Sequence, residues 1–322
     1  MSTLEQRHRL KQKDLVALLF VLFSEEYDRT EVDSIIDIEL PMNTVRDYLE
    51  KHVGIRYTSD TWIATQIHKY ESEIGTKLFR KHDSDSGPML GLNRDIRTYS
   101  QKKHLYVTQK IRVANGVMDL IKNERTGTAQ DKPISLLLGA GSTVTRVAEI
   151  IAESLPELPW KWHIATHNLG VLEALGKTSP GFERVEISIP EGRFDPATYL
   201  ILGNNEILYK PMVFDWIIQG ASFMSKGLLY VEREDETRIK SLMLRECTGG
   251  KILVLTGHET AARTPELSKP FGAITEYDFI ILPALPPGSP TARRLAAEME
   301  PYADRLPVWI RNWSYEIIRV HH

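Results

Sequence analysis

From Ile134 onward, short apolar runs of strand length alternate with amphipathic helical segments, and no other feature limits the fold so strongly. ISLLLG, WHIAT, VEISIP, YLILG, FDWIIQGAS, KILVLTG and YDFIILP read as strands, while TVTRVAEIIAES and EDETRIKSLMLREC read as helices. Strands that are apolar on both faces need cover on both sides. The alternation therefore predicts an α/β domain with a doubly wound, mostly parallel sheet. Residues 283–322, with their Trp and Ile content, read as a closing helix and strand.

Before this region the pattern is helical. DLVALLFVLFSEEY, NTVRDYLEKH and SDTWIATQIHKYESEIG precede a long helical stretch from Tyr99 to Arg125, and the polar NERTGTAQDKP reads as a linker. A chain of 322 residues exceeds the usual single domain. The expected organisation is 1–98 as an N-terminal domain, 99–130 as a linker and dimerisation helix, and 131–322 as the α/β domain. The single Cys247 excludes a disulfide framework and a cysteine-rich zinc site, and the apolar runs fall short of a membrane span. MSTLEQRHRLKQKD is charged, unlike a secretory signal, so a cytoplasmic protein with no metal or cofactor is expected. Net charge is −3, but residues 51–130 hold 14 Lys+Arg against 8 Asp+Glu. A basic block in a mildly acidic chain suits one face turned to a polyanion.

Within that block, Ser59 or Asp60 is a natural N-cap, and Ile63, Ile67, Tyr70 and Ile74 recur at helical spacing. The opposite face carries Thr61, Thr65, His68 and Lys69, hydroxyls and cations able to meet base edges or phosphates in a major groove. With Gln66-Ile67, Glu71, Gly75, Leu78-Phe79 and Lys81 in that order, TQIHKYESEIGTKLFRK resembles the winged helix-turn-helix of the LysR-type regulators. The resemblance implies double-stranded DNA as a partner and a recognition helix ending before Gly75. It also implies a wing over KLFRKHDSDSGPMLGLN, where Arg80, Lys81 and His82, beside Lys77, would meet phosphate. The connection HVGIRYT is longer than that family's tight turn. On the following stretch, Val107, Ile111, Ala114, Met118 and Ile121 form a stripe read as a dimerisation seam, giving a homodimer or homotetramer.

The junction SLLLGAGSTVTRVAEII puts Gly139, Gly141, Ser142 and Thr143 between a strand and a helix. Such a loop either bares N–H groups as an anion cradle or merely makes a tight turn. Residues 134–282 resemble the effector-binding domain of the DeoR repressor family, a relative of ribose-5-phosphate isomerase and the CoA transferases. The resemblance rests on LLLGAGSTVTRVAEII, IATHNLGVLEAL, IIQGASFMSKG, EDETRIKSLMLREC and KILVLTGHE, in that family's order. It implies that the loop holds the phosphate of a phosphorylated effector such as a sugar phosphate, with Thr166, His167, Asn168, Lys226, Lys240 and His258 around it. Ala140 and Ser142 in the loop, His167-Asn168, and His258-Glu259 depart from the family pattern, so the effector is expected to differ from its common sugar phosphates.

The expectation is a non-enzymatic DNA-binding regulator, a repressor as members of such families most often are. An isomerase-like or CoA-transferase-like enzyme is the rival class, disfavoured because QGASFMSKG lacks the carboxylate base that proton transfer needs. A ligand-free DNA-binding oligomer is the third reading.

Overall fold

Helix α1 (Gln12–Arg29) turns Leu15, Leu19, Phe20, Phe23 and Tyr27 into a core shared with the two helices that follow. This is seen in a computed structural model, which describes residues 10–30, 32, 34–54, 56–57, 59–85, 87–94, 98–125, 132–176, 181–260 and 269–322. The chain divides into two units, Met1–Val107 and Thr108–His322. Residues 126–131 of the expected linker lie outside the described residues.

The first unit continues through β1 (Glu39–Pro41), α2 (Met42–Val53), α3 (Asp60–Ile74), β2 (Phe79–Ser84), β3 (Gly87–Leu92) and the short α4 (Tyr99–Lys102). The three strands form an antiparallel sheet in the order β1-β3-β2. Ser59 is the N-cap of α3, its hydroxyl accepting from the Trp62 N–H at 3.3 Å. Val45 and Leu49 of α2, and Ile63, Ile67 and Tyr70 of α3, complete the core. The turn from α3 to β2 is fixed by buried Glu71, whose Oε1 accepts from the N–H groups of Leu78 at 2.7 Å and Phe79 at 2.8 Å. Two backbone donors that would otherwise be buried without partners are thereby satisfied.

The stretch from Tyr99 to Arg125 is two helices rather than one. α4 ends at Lys102, α5 (Val107–Arg125) starts afresh, and Tyr106 between them has φ 52°. The proposed dimer seam is also corrected. Ala114, Met118 and Ile121 lie in the core of the second unit with Leu136, Ile281 and Tyr315, so this part of the α5 stripe is covered by its own sheet, while Ile111 is exposed. Gly116 is what lets the helix come so close, because a Cβ there would stand 2.7 Å from Ile281 Cγ2. The helix propensity lost at this glycine, about 1 kcal/mol relative to alanine, is offset by packing.

The second unit continues with β4 (Ile134–Leu138), α6 (Ser142–Ser154), β5 (Trp162–Thr166), α7 (Leu169–Gly176), β6 (Val185–Ser188), β7 (Gly192–Asp195), β8 (Leu200–Gly203) and α8 (Asn205–Tyr209). β9 (Val213–Gly220), β10 (Phe223–Ser225), β11 (Leu228–Tyr230), α9 (Glu234–Arg245), β12 (Thr248–Val254), β13 (Gly272–Ala273) and β14 (Phe279–Pro283) follow, then α10 (Pro290–Met299), β15 (Val308–Arg311) and β16 (Tyr315–Arg319). The main sheet has eight strands in the order β15-β16-β14-β12-β9-β4-β5-β6. The six from β14 to β6 are parallel, and β16 and β15 close one edge antiparallel. YLILG, expected in this sheet, pairs instead with β7 in a separate two-stranded sheet.

Alternation along the strands feeds two cores. Leu136, Leu138, Ile218, Ile252 and Val254 pack with α5, α6 and α7, whereas Leu137 and Ile217 pack with α8 and α9. Leu253, Ile280 and Leu282 join Leu295 of α10. After β4 the winding runs outward through β5 and β6, then returns to β9 on the other side of β4. Strands β4 and β9 thus flank the point where the winding reverses, and the crevice outside their carboxyl ends is where open α/β sheets hold ligands.

Candidate functional site

The glycine loop lies at this reversal. Gly139 donates its N–H to the Ile218 carbonyl at 3.0 Å, which ties the loop to the carboxyl end of β9. Gly141 is the N-cap of α6 with φ 107° and no side-chain cap. A Cβ at Gly141 would meet nothing within 4 Å, so the requirement for glycine is conformational and the loop surface there is open. Gly141, Ser142 and Thr143 are partly exposed at the positive end of a 13-residue helix.

Asn168 holds this loop from beneath. It is fully buried; its Nδ2 lies 3.1 Å from the Gly139 carbonyl, 3.2 Å from the Gly141 carbonyl and 3.3 Å from Thr145 Oγ1, and its Oδ1 accepts from the Gly170 N–H at 3.0 Å. Thr166 Oγ1 donates to the Leu138 carbonyl at 2.7 Å and accepts from the Asn168 N–H at 3.1 Å. These two residues shape the loop rather than line an open surface. His167 turns away to Tyr209, with Nδ1 3.1 Å from its hydroxyl, and its Nε2 finds no partner among the described residues. Burial, reinforced by the charge of Lys240, pushes the His167 pKa down to about 3.

Lys240 is buried rather than solvated. Its Nζ donates to the Gly220 carbonyl at 2.9 Å and the Ala140 carbonyl at 3.4 Å, and lies 3.7 Å from Glu236. The ammonium therefore joins the ends of β4 and β9 beneath the loop. His258 is buried in the turn after β12, which packs against α10, and burial with the charges of Arg294 and Lys110 pushes its pKa down to about 3. Neighbouring Glu259 accepts from both the N–H and the hydroxyl of Thr256, at 2.9 Å, and serves as scaffold for that turn. Burial pushes its carboxyl pKa up. Lys226 stands apart from this group. It is exposed on the β10–β11 turn at φ 50°, where its carbonyl accepts from the Tyr302 hydroxyl.

Sequence reasoning missed Lys110. This α5 lysine is 5% exposed and its Nζ donates to Ser142 Oγ at 2.9 Å. A buried lysine on an otherwise apolar helix face was the available signal.

In the first unit, Thr61, Thr65, His68 and Lys69 are all exposed along α3, opposite its buried stripe. Lys81 on β2 is exposed as well. Lys77 is exposed and pairs with Glu71 at 3.2 Å. Arg80 is committed inward: its guanidinium donates to the Leu92 carbonyl at 3.1 Å and to Glu39 at 2.8 Å, and His82 meets the same carboxylate at 3.1 Å. These contacts staple β2 to β1, so neither side chain is placed as a phosphate contact.

Among the described residues, no group of three His, Cys, Asp or Glu side chains could hold a metal ion, and no helix is long and apolar enough to cross a membrane. No protein-family model matches this chain, and no curated protein matches it. Among solved structures, ribose 5-phosphate isomerase A from Methanocaldococcus jannaschii is similar at 12% identity and a TM-score of 0.31, covering 66% of this chain and 79% of that one. The ribose 5-phosphate isomerase from Plasmodium falciparum gives 12% identity and 0.31, covering 67% and 79%. An O-methyltransferase family 2 protein from Planctomyces limnophilus gives 11% identity and 0.29, covering 99% and 100%. By its own topology the chain is a mixed α/β protein with a large, mostly parallel sheet, and its likeness to these enzymes is too distant to assign it to any of their families.

Proposed function

We propose that the chain is a DNA-binding transcription regulator, a repressor by the pattern of the families it resembles, whose second unit binds a phosphorylated small molecule such as a sugar phosphate. The observation that carries this reading is in the first unit. Its order α1-β1-α2-α3-β2-β3, with the sheet ordered β1-β3-β2, supports a winged helix-turn-helix reading, in which α3 would be the recognition helix and the β2–β3 hairpin the wing. Lys69 and Lys81, with Lys77, would supply the phosphate contacts, and Thr61, Thr65 and His68 the base-edge contacts. For the second unit, support comes from the N–H groups of Gly141 to Thr143 at the winding reversal, backed by Lys240 and Lys110. Assembly as a homodimer or homotetramer belongs to this reading, with a contact other than the buried stripe of α5.

Replacing both Thr65 and Lys69 with alanine tests it. Both side chains are exposed, so the melting temperature should hold, while affinity for a duplex selected by the parent protein should fall at least about tenfold, the loss of one good base contact and one phosphate contact. Anisotropy titration reads the change. Unaltered affinity in a folded double variant would show that α3 is not the DNA-reading helix.

A further inference from the structure

On the α8 and α9 side of the sheet, three polar side chains meet in an apolar enclosure that includes Leu137, Ala165, Ile239 and Met243. His167 follows β5 and is fully buried, and Asn205, at the start of α8, is 2% exposed. Tyr209, one helical turn after Asn205, brings its hydroxyl to 3.1 Å from His167 Nδ1. Burial pushes the pKa of that hydroxyl up, and Asn205 lies close enough to oppose the rise. Among the described residues, however, His167 Nε2 and both amide atoms of Asn205 make no well-formed hydrogen bond, although each is sealed from solvent. Such groups cost stability until a partner satisfies them, so a fold that gained nothing from them would hold apolar side chains here. The enclosure offers no surplus charge. His167 and Tyr209 are both held neutral, and the nearby Lys240 ammonium lies against the Gly220 and Ala140 carbonyls and 3.7 Å from Glu236. Hydroxyl groups, each a donor and an acceptor, match an imidazole and a carboxamide better than an anion would. The glycine loop adjoins the enclosure, since Lys240 reaches the Ala140 carbonyl and Asn168, next to His167 in sequence, holds Gly139 and Gly141. Another wall is the β7–β8 hairpin, where the Ile201 N–H donates to the His167 carbonyl at 2.8 Å and the Tyr199 carbonyl accepts from Leu169 at 3.0 Å. As a two-stranded sheet apart from the main one, it is the wall most easily lifted.

We propose that His167, Asn205 and Tyr209 form a subsite for an uncharged polyhydroxy group, the body of the effector whose phosphate the glycine loop holds. The inference deepens the anion-loop reading and rests on it for the phosphate end alone, because the subsite stands on its own side chains. It makes Asn205 a specificity-determining residue and the β7–β8 hairpin the segment that admits the ligand.

Ribitol, an uncharged polyol, and inorganic phosphate are the probes. In the parent protein, ribitol at up to roughly 100 mM should shift the imidazole resonances of His167, assigned with His167→Gln, and leave those of exposed His68 in place. Asn205→Leu, close in volume but apolar, should melt at or above the parent temperature, because it removes a buried amide that lacks a partner, and should weaken ribitol binding at least about tenfold. Stationary His167 resonances in the parent, or unaltered ribitol affinity in folded Asn205→Leu, would overturn the subsite. A melting temperature lowered in both Asn205→Leu and Asn205→Ala would show that the amide supports the fold, and would overturn it as well. Phosphate separates the subsite from the loop. Ribitol binding without a phosphate response would uphold the subsite and sink the loop reading, and a phosphate response without ribitol binding would do the reverse.

Discussion

Replacing Asn168 with alanine should destabilise the second unit by about 3 kcal/mol and remove its response to phosphate. The side chain is fully buried and forms the only described side-chain bridge between β5's end and the carbonyls of both Gly139 and Gly141. Alanine would strand the buried Gly139 carbonyl and Gly170 N–H, each at a cost of about 1–3 kcal/mol, while the Gly141 carbonyl would keep the Thr145 N–H at 3.1 Å. Gly141, held at φ 107°, would lose a contact that keeps it in a conformation few residues adopt. The N–H groups of Ser142 and Thr143 would then no longer be fixed. Urea unfolding measures the stability change as a shift in midpoint at constant slope. Asn168→Asp should be worse at neutral pH, because a carboxylate cannot donate and would face the same carbonyl oxygens. A loss below about 1 kcal/mol in the alanine variant would mean that the loop holds its shape without this residue.

Lowering the pH from 7.5 to 5 should destabilise the second unit by about 4 kcal/mol through two histidines. Burial, with Lys240, holds His167 down to about 3, and burial, with Arg294 and Lys110, does the same to His258. In the unfolded chain each titrates near the ordinary value of about 6.5. Between roughly pH 6.5 and 3 the unfolded chain therefore takes up protons that the folded unit refuses, so stability falls as pH falls through that window. At pH 5 the penalty is about 2 kcal/mol for each histidine. Glu259 acts in the opposite sense, since burial holds its carboxyl above the ordinary range and protonation relieves the folded state. Comparison with His167→Gln and His258→Gln isolates the histidines from it: each variant should lose about half of the acid sensitivity in urea titrations at the two pH values. Equal slopes in parent and variants would place the acid sensitivity elsewhere.

Much of the α/β unit was legible because its signals are local. The run ISLLLG followed by glycines and a helical pattern identifies β4, the loop and α6 without knowledge of any partner. The residues that complete the site were hidden because their roles depend on distant chain. Lys110 is 32 positions from Ser142, and periodicity alone says only that α5 has a buried face, not what covers it. The same ambiguity turned Met118 into a supposed partner contact when it is core. Arg80 on a hairpin reads as a phosphate contact until Glu39, 41 positions earlier, is seen to hold its guanidinium. The break at Tyr106 carries no glycine or proline to announce it, and YLILG has the composition of a central strand although its pairing with β7 is set by the turn between them.

DNA binding by the full chain is the central claim, and selection from a random duplex library followed by titration of the enriched duplex at 50 and 200 mM salt measures it most directly. The account predicts recovery of a defined motif, bound with an affinity that falls at least about tenfold between the two salt concentrations as lysine–phosphate contacts and their released counterions require. Failure to enrich any sequence, together with no measurable binding to duplex at the lower salt, would contradict it.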